Sequence, residues 1–208
     1  MPKGSPELTA ARKDEIISAC EQLYRTMSFK DITLKEIGSV TSFTRTSIYN
    51  YFHTKEEIFL ALYEREYDRW NEDLESVLHT EEKLNKAQLA DRIAQSLAQR
   101  VQLLKLLSMN NYDMEANSRQ ELLTSFKKAY GRSMELMEMI LKKHCPDMND
   151  KDIQNFIYIF FPFMFGIYPY AEVTEKQSTA MKDAGISFIP HSIYELTYSC
   201  LTRLLNEK

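Results

Sequence analysis

The sequence predicts an all-α protein, with three short helices at the N-terminus and a longer helical body behind them. Three observations carry this expectation. Only five glycines and six prolines occur in 208 residues, too few for a loop-rich or all-β chain. Apolar side chains recur at intervals of three and four residues, the period of one helix face. No segment alternates apolar and polar residues over strand length, and no internal repeat is present. Apolar residues at 44% and charged residues at 27% predict a soluble folded chain rather than a disordered one.

Helix one is expected over 9–27, where Ile16, Cys20, Leu23 and Met27 repeat at i, i+4, i+7 and i+11. Thr33-Leu34-Lys35-Glu36 is a capping box. A Thr hydroxyl accepts from the amide three residues on, and the Glu reaches back. The second helix therefore starts at Leu34 and runs for about eight residues, with Leu34, Ile37 and Val40 inward. Hydroxyls at Thr41, Ser42 and Thr44 compete with the helix ladder and predict a turn, with Thr44 capping a third helix over 45–51. A rod of about eight residues is about 12 Å long, comparable with the width of a major groove. Its outer side chains would be Arg45, Thr46, Ser47, Tyr49 and Asn50, while Ile48 and Phe52, four apart, pack inward. Thr54-Lys55-Glu56-Glu57 is a second capping box, and it puts Lys55 where free amides and a positive helix end attract phosphate.

Charge permits such a partner without establishing it. The chain carries a net −4, yet residues 1–55 hold eight basic and six acidic side chains, leaving −6 for the remainder.

The run from Phe29 through Ile32, Thr33 and Ile37 to Thr44-Arg45-Thr46-Ser47-Ile48-Tyr49-Asn50-Tyr51-Phe52-His53-Thr54-Lys55-Glu56-Glu57 resembles the DNA-binding domain of TetR-type bacterial transcriptional regulators. The resemblance covers about 9–70, a third of the chain. It implies a helix-turn-helix with helix three as the recognition helix, and a domain division at 9–55 for DNA binding and 56–208 for effector binding and dimerisation. The DNA contacts expected on this basis are Thr33, Thr44, Arg45, Thr46, Ser47, Tyr49, Asn50, Tyr51, His53 and Lys55. Apart from the motif, Tyr49, Tyr51 and Phe52 read as packing residues and His53 as a solvated turn residue. The family's usual glycines are replaced here by Ser28, by Ser42 within Thr41-Ser42-Phe43, and by Thr46.

Beyond the head, helices are expected over 54–78, 88–107 and 118–144, with 110–115 as a connection. A very apolar helix should begin at Asp150, and a last one should run over 192–205. Residues 156–171 are the only membrane-like stretch. At 16 residues, with Pro162, Gly166 and Pro169, they fall short of a span. They are expected to turn one side inward and another toward a partner chain, which predicts a homodimer. The resemblance implies that the apolar helix and the last helix of each subunit form a four-helix interface, with the two heads reading a near-palindrome. Residues 172–185, polar throughout, are expected to be a mobile connection.

A body rich in aromatics and methionines suits an apolar effector pocket. The candidate lining is Trp70, Met109, Tyr112, Phe126, Tyr130, Met137, Tyr158, Phe161, Met164 and Tyr168, although such stripes are ordinarily packing. A hydrophobic or aromatic small molecule is the expected effector.

No enzyme motif is present, and adjacent His144 and Cys145 cannot face one helical site together. Four scattered histidines offer no metal set, and no cofactor is expected. Cys20, Cys145 and Cys200 have neither disulfide nor zinc spacing. With no apolar signal core in residues 1–6, a cytoplasmic location is expected. The full reading is a ligand-responsive, dimeric DNA-binding regulator, most simply a repressor. The alternative is an all-helical adaptor or small-molecule binding protein that does not read DNA.

Overall fold

The computed structural model describes residues 5–109 and 111–206, so residues 1–4 of the leader reading lie outside it. Eleven helices and no strand occur among the described residues. They divide into two compact units. One unit draws on the chain up to Glu66 and on 111–130, and the other on Tyr67–Met109 and the chain from Gly131 onward.

In the first unit, α1 (Pro6–Tyr24) is capped by Ser5, whose side chain accepts from the Leu8 amide. It therefore starts three residues before the expected Thr9 and stops three before Met27. Proline at the first helical position costs no hydrogen bond, because that N–H would be unpaired anyway. Next come α2 (Leu34–Ser39), α3 (Arg45–Ile48) and the first half of α4 (Lys55–Leu78). The short α7 (Asn111–Ala116) and the start of α8 (Gln120–His144) complete the unit. Residues 111–115, expected as a connection, thus lie in a helix. Ile16, Cys20, Tyr24, Ile37, Ile48, Phe52, Ile58 and Phe59 are buried together. Phe59 meets Tyr24 and Phe29 edge-on, at ring separations of 5.1 and 4.7 Å.

The second unit contains the remaining halves of α4 and α8 with α5 (Lys86–Ala98), α6 (Val101–Leu107), α9 (Asp150–Ala171), α10 (Glu175–Asp183) and α11 (Ile193–Asn206). The single helix expected over 88–107 is two. Its break falls at Arg100, whose guanidinium holds both oxygens of Asp73 at 2.6 and 2.7 Å. A tertiary ion pair thus overrides a continuous apolar stripe. α11 packs on α5 and α9, and α6 on α9. Trp70 is fully buried, 5.9 Å from the Phe161 ring, and its indole N–H donates to Ser96 Oγ at 3.1 Å.

α9 buries Ile153, Phe156, Ile157, Phe160, Phe161, Met164 and Ile167. Its other side leaves Tyr158, Ile159, Phe165 and Tyr170 exposed. Pro162, Gly166 and Pro169 share that side, so the carbonyls freed by the missing proline amides lie on the open face. The expected mobile connection is largely α10. Thr174 and Gln177 close its first turn as a capping box, and Gly185, at φ 69°, closes its last. α10 buries nothing. Among the described residues no single helix is long and apolar enough to cross a membrane.

Candidate nucleic-acid interface

The head is built from side-chain caps. The Thr33 hydroxyl accepts from the Lys35 and Glu36 amides and so starts α2, but the Glu36 carboxylate accepts from that hydroxyl rather than from the Thr33 amide, so only the Thr half of the expected box forms. After Ser39 the chain turns with no left-handed residue among those described apart from Gly185. Ser42 therefore fills the turn without strain in the place where the resembling family has glycine. Its amide donates to Glu15 Oε1 of α1 at 2.7 Å, and that bond holds the Glu15 carboxyl below its ordinary value. Thr44 then accepts from the Ser47 amide at 3.2 Å and starts α3.

α3 is shorter than the 45–51 expected. Four residues are α-helical, and the chain then tightens: the Ile48 carbonyl receives both the Tyr51 and Phe52 amides, at 2.9 and 3.0 Å. Ile48 and Phe52 are buried as the four-residue spacing requires. On the opposite side Arg45, Thr46, Tyr49 and Asn50 are exposed, with Ser47 half-buried. Arg45 Nη2 donates to Tyr49 Oη at 3.2 Å, and its guanidinium lies 5.8 Å from the Tyr49 ring centre. A fork with several free N–H groups and a phenol thus stand together on a polar surface, a set suited to phosphates and guanine edges.

The other expected contacts sit differently. Tyr51 is 6% exposed, and its hydroxyl accepts from Arg12 Nη1 at 2.9 Å. His53 is exposed, and its amide donates to Glu57 Oε2 at 2.7 Å. Thr54 Oγ1 caps α4 by accepting from the Glu57 amide at 3.1 Å. The predicted box does not close, however, because the Glu57 carboxylate is turned to His53 and to Arg119. Lys55 Nζ donates to the carbonyls of Phe29 and Ile32, at 2.8 and 3.2 Å, and lies 4.1 Å from the Phe29 ring centre. One of its three N–H groups is left for a phosphate.

Arg119, which the sequence does not single out, holds Glu57. Its Nε and Nη2 reach the two Glu57 oxygens at 2.7 and 3.0 Å. Burial pushes the Glu57 carboxyl up, but the Arg119 guanidinium and the His53 and Arg119 amides outweigh it and hold the carboxyl below its usual range. A separation of 62 residues leaves no local pattern to find.

The ten aromatic and methionine candidates do not share one environment. Within the first unit Phe126 is buried against Tyr63 at 4.7 Å, Tyr130 is half-buried and Tyr112 is 85% exposed. Within the second, Trp70, Met137, Phe161 and Met164 are buried, Met109 and Tyr168 are half-buried, and Tyr158 is 72% exposed. An open cavity of about 420 Å³ lies between α10 and the segment that follows it, lined by Met181, Lys182, Ile186 and Phe188 among others. None of the ten lines it. No set of three or more potential metal ligands occurs among the described residues.

A helix-turn-helix head with a polar exposed helix, carried on an all-helical body, defines the architecture of a one-component transcription regulator. Residues 64–193 match the family model described as Tetracyclin repressor-like, C-terminal domain. The chain belongs to the TetR family of DNA-binding transcription regulators, which are not enzymes. Three solved structures have the same fold. The fatty acid degradation regulator FadR from Bacillus halodurans is 15% identical with a TM-score of 0.60, over 98% of this chain and 97% of that one. A TetR/AcrR-family regulator from Thermobifida fusca is 16% identical with a TM-score of 0.61, over 94% and 97%. The Thermus thermophilus repressor FadR, solved with lauroyl-CoA, is 18% identical with a TM-score of 0.61, over 93% of each chain. No curated protein matches the chain.

Proposed function

We propose that this protein is a dimeric, effector-released repressor that reads a near-palindromic operator through α3. The reading rests above all on the exposed Arg45 and Tyr49 beside Thr46 and Asn50, set over buried Ile48 and Phe52. Residues 9–55 act as the DNA-reading head and 56–208 as the effector-binding and dimerisation body. Arg45 provides direct readout or a phosphate clamp, and Tyr49, Thr46, Ser47 and Asn50 line the groove. Thr33, Thr44, Tyr51, His53 and Lys55 set or extend the backbone contacts. The exposed apolar side of α9, with α11, forms the subunit interface. The effector is a small molecule with a hydrophobic or aromatic part, such as a long acyl chain. The lauroyl-CoA carried by the Thermus relative and the stearoyl-CoA carried by FadR from Bacillus subtilis make long-chain acyl-CoA thioesters the first class to try.

Selection from a random duplex library tests this reading. A two-fold symmetric site should emerge, its affinity should fall steeply with salt, and long-chain acyl-CoA should release it. Recovery of no site would leave the adaptor reading instead.

A further inference from the structure

We propose that Arg119, outside the helix-turn-helix, is a positioning residue for DNA reading: through Glu57 it sets the pose of residues 49–53. The inference rests on the regulator reading above.

Glu57 is 1% exposed, and four N–H groups converge on it. Oε1 accepts from Arg119 Nε at 2.7 Å and from the Arg119 amide at 3.2 Å. Oε2 accepts from Arg119 Nη2 at 3.0 Å and from the His53 amide at 2.7 Å. The same Nη2 donates to the Tyr51 carbonyl at 3.1 Å, and beside it Thr54 Oγ1 donates to the Asn117 carbonyl at 3.0 Å. Residues 117–119, between α7 and α8, thus grip the main chain at Tyr51, the side chain at Thr54 and, through Glu57, the amide at His53. These residues directly follow the exposed Tyr49 and Asn50.

The grip is polar and directional. The apolar closure of α3 comes from the buried Ile48 and Phe52. What Arg119 adds is register. A planar guanidinium serves two carboxylate oxygens and a carbonyl at once, whereas a lysine offers a point charge on a flexible stem. Base readout depends on the pose of the reading segment, and general attraction to phosphate does not. Loosening the grip should therefore cost selectivity before it costs non-specific binding.

The test uses the full chain, the duplex that the wild type selects and a scrambled duplex of equal length. Arg119→Lys should bind the selected duplex about tenfold more weakly, with affinity for the scrambled duplex unchanged. Replacing the pair as Glu57→Leu with Arg119→Met removes the buried carboxylate together with its partly exposed cationic partner, so neither charge is left unpaired, and it should show the same loss of selectivity. In Arg119→Met alone, the His53 amide should exchange with solvent about tenfold faster while the Phe52 amide stays protected. Wild-type selectivity in the well-folded double variant, equal losses on both duplexes, or an unchanged His53 exchange rate would each overturn the proposal. The exchange measurement needs no DNA, so it separates failure of the grip from failure of the regulator reading.

Discussion

α3 and α9 both bury one side and expose the other, and they differ in what they expose. α3 presents a guanidinium, hydroxyls, a phenol and an amide above Ile48, whereas α9 presents Tyr158, Ile159, Phe165 and Tyr170 above Phe156, Phe160 and Met164. Burial explains the inner faces alike. The outer faces answer to different surroundings. Polar groups on a four-residue helix keep their hydrogen-bonding capacity in water and can exchange it for phosphate and base edges. A contiguous apolar stripe gains nothing from water and is stable only when covered. On the proposed reading α3 faces a polyanion and α9 a second copy of the chain.

The sharpest way to break this assignment is at α9. Tyr158→Asp places two like charges in a symmetric interface. It should cost about 2 kcal/mol or more of dimer stability, read as a shift toward monomer in sedimentation. Operator affinity should fall about 30-fold or more at fixed protein concentration. A dimer as tight as wild type would mean that another surface forms the interface and that the α9 stripe has a different cover.

The next largest effect belongs to α3. Arg45→Ala should weaken operator binding by about 1–3 kcal/mol, or about 5- to 150-fold. Tyr49→Phe should cost about 1 kcal/mol, because it removes one hydrogen bond. Neither should alter helicity or dimerisation, since both side chains are on the surface. Unchanged binding in both variants would move the reading face off α3.

These two helices also differ in how far they could be read from sequence. The head was legible because its controls are local. Thr33 and Thr44 cap within three residues, and Ile48 and Phe52 fall on one face by spacing alone. The resemblance implied a role for α3 but not its length, because the tightening at Ile48 leaves no mark in the residue types. In the body the controls are distant. The α5–α6 break depends on Arg100 meeting Asp73, 27 residues away, so an unbroken apolar stripe misled. α10 did carry a local signal in Thr174-Glu175-Lys176-Gln177, the capping pattern that located α2, but its lack of apolar residues suggested a connection. The orientation of Glu57 was misread for the same reason as the break. Its partner Arg119 lies 62 residues away, and a tertiary cation outcompeted the local cap.

The lowered pKa of Glu57 gives a smaller, pH-dependent effect within the first compact unit. A carboxyl whose folded pKa lies below its unfolded value adds stability that is complete above the unfolded value, about 4.3. That stability is lost as pH falls through the folded pKa. Wild type should therefore lose stability more steeply below about pH 4.3 than Glu57→Gln, with the two curves running parallel above it. Parallel curves throughout the acid range would mean that the ion pair does not persist in solution.

The smallest expected effect distinguishes two uses of one lysine. Lys55 holds the Phe29 and Ile32 carbonyls and stacks on Phe29, which ties the segment between α1 and α2 to the start of α4. Lys55→Ala should therefore lower the melting temperature by a few degrees, as expected for loss of about 1 kcal/mol in a chain of this length. On the proposed reading its remaining N–H also meets a DNA phosphate. The slope of log affinity against log salt should then also become shallower by about one unit, nearly equally for all sequences. A lower melting temperature with an unchanged slope would confine Lys55 to bracing the head. A sequence-selective loss would mean that the brace, like the Arg119 grip, acts by setting the pose of α3.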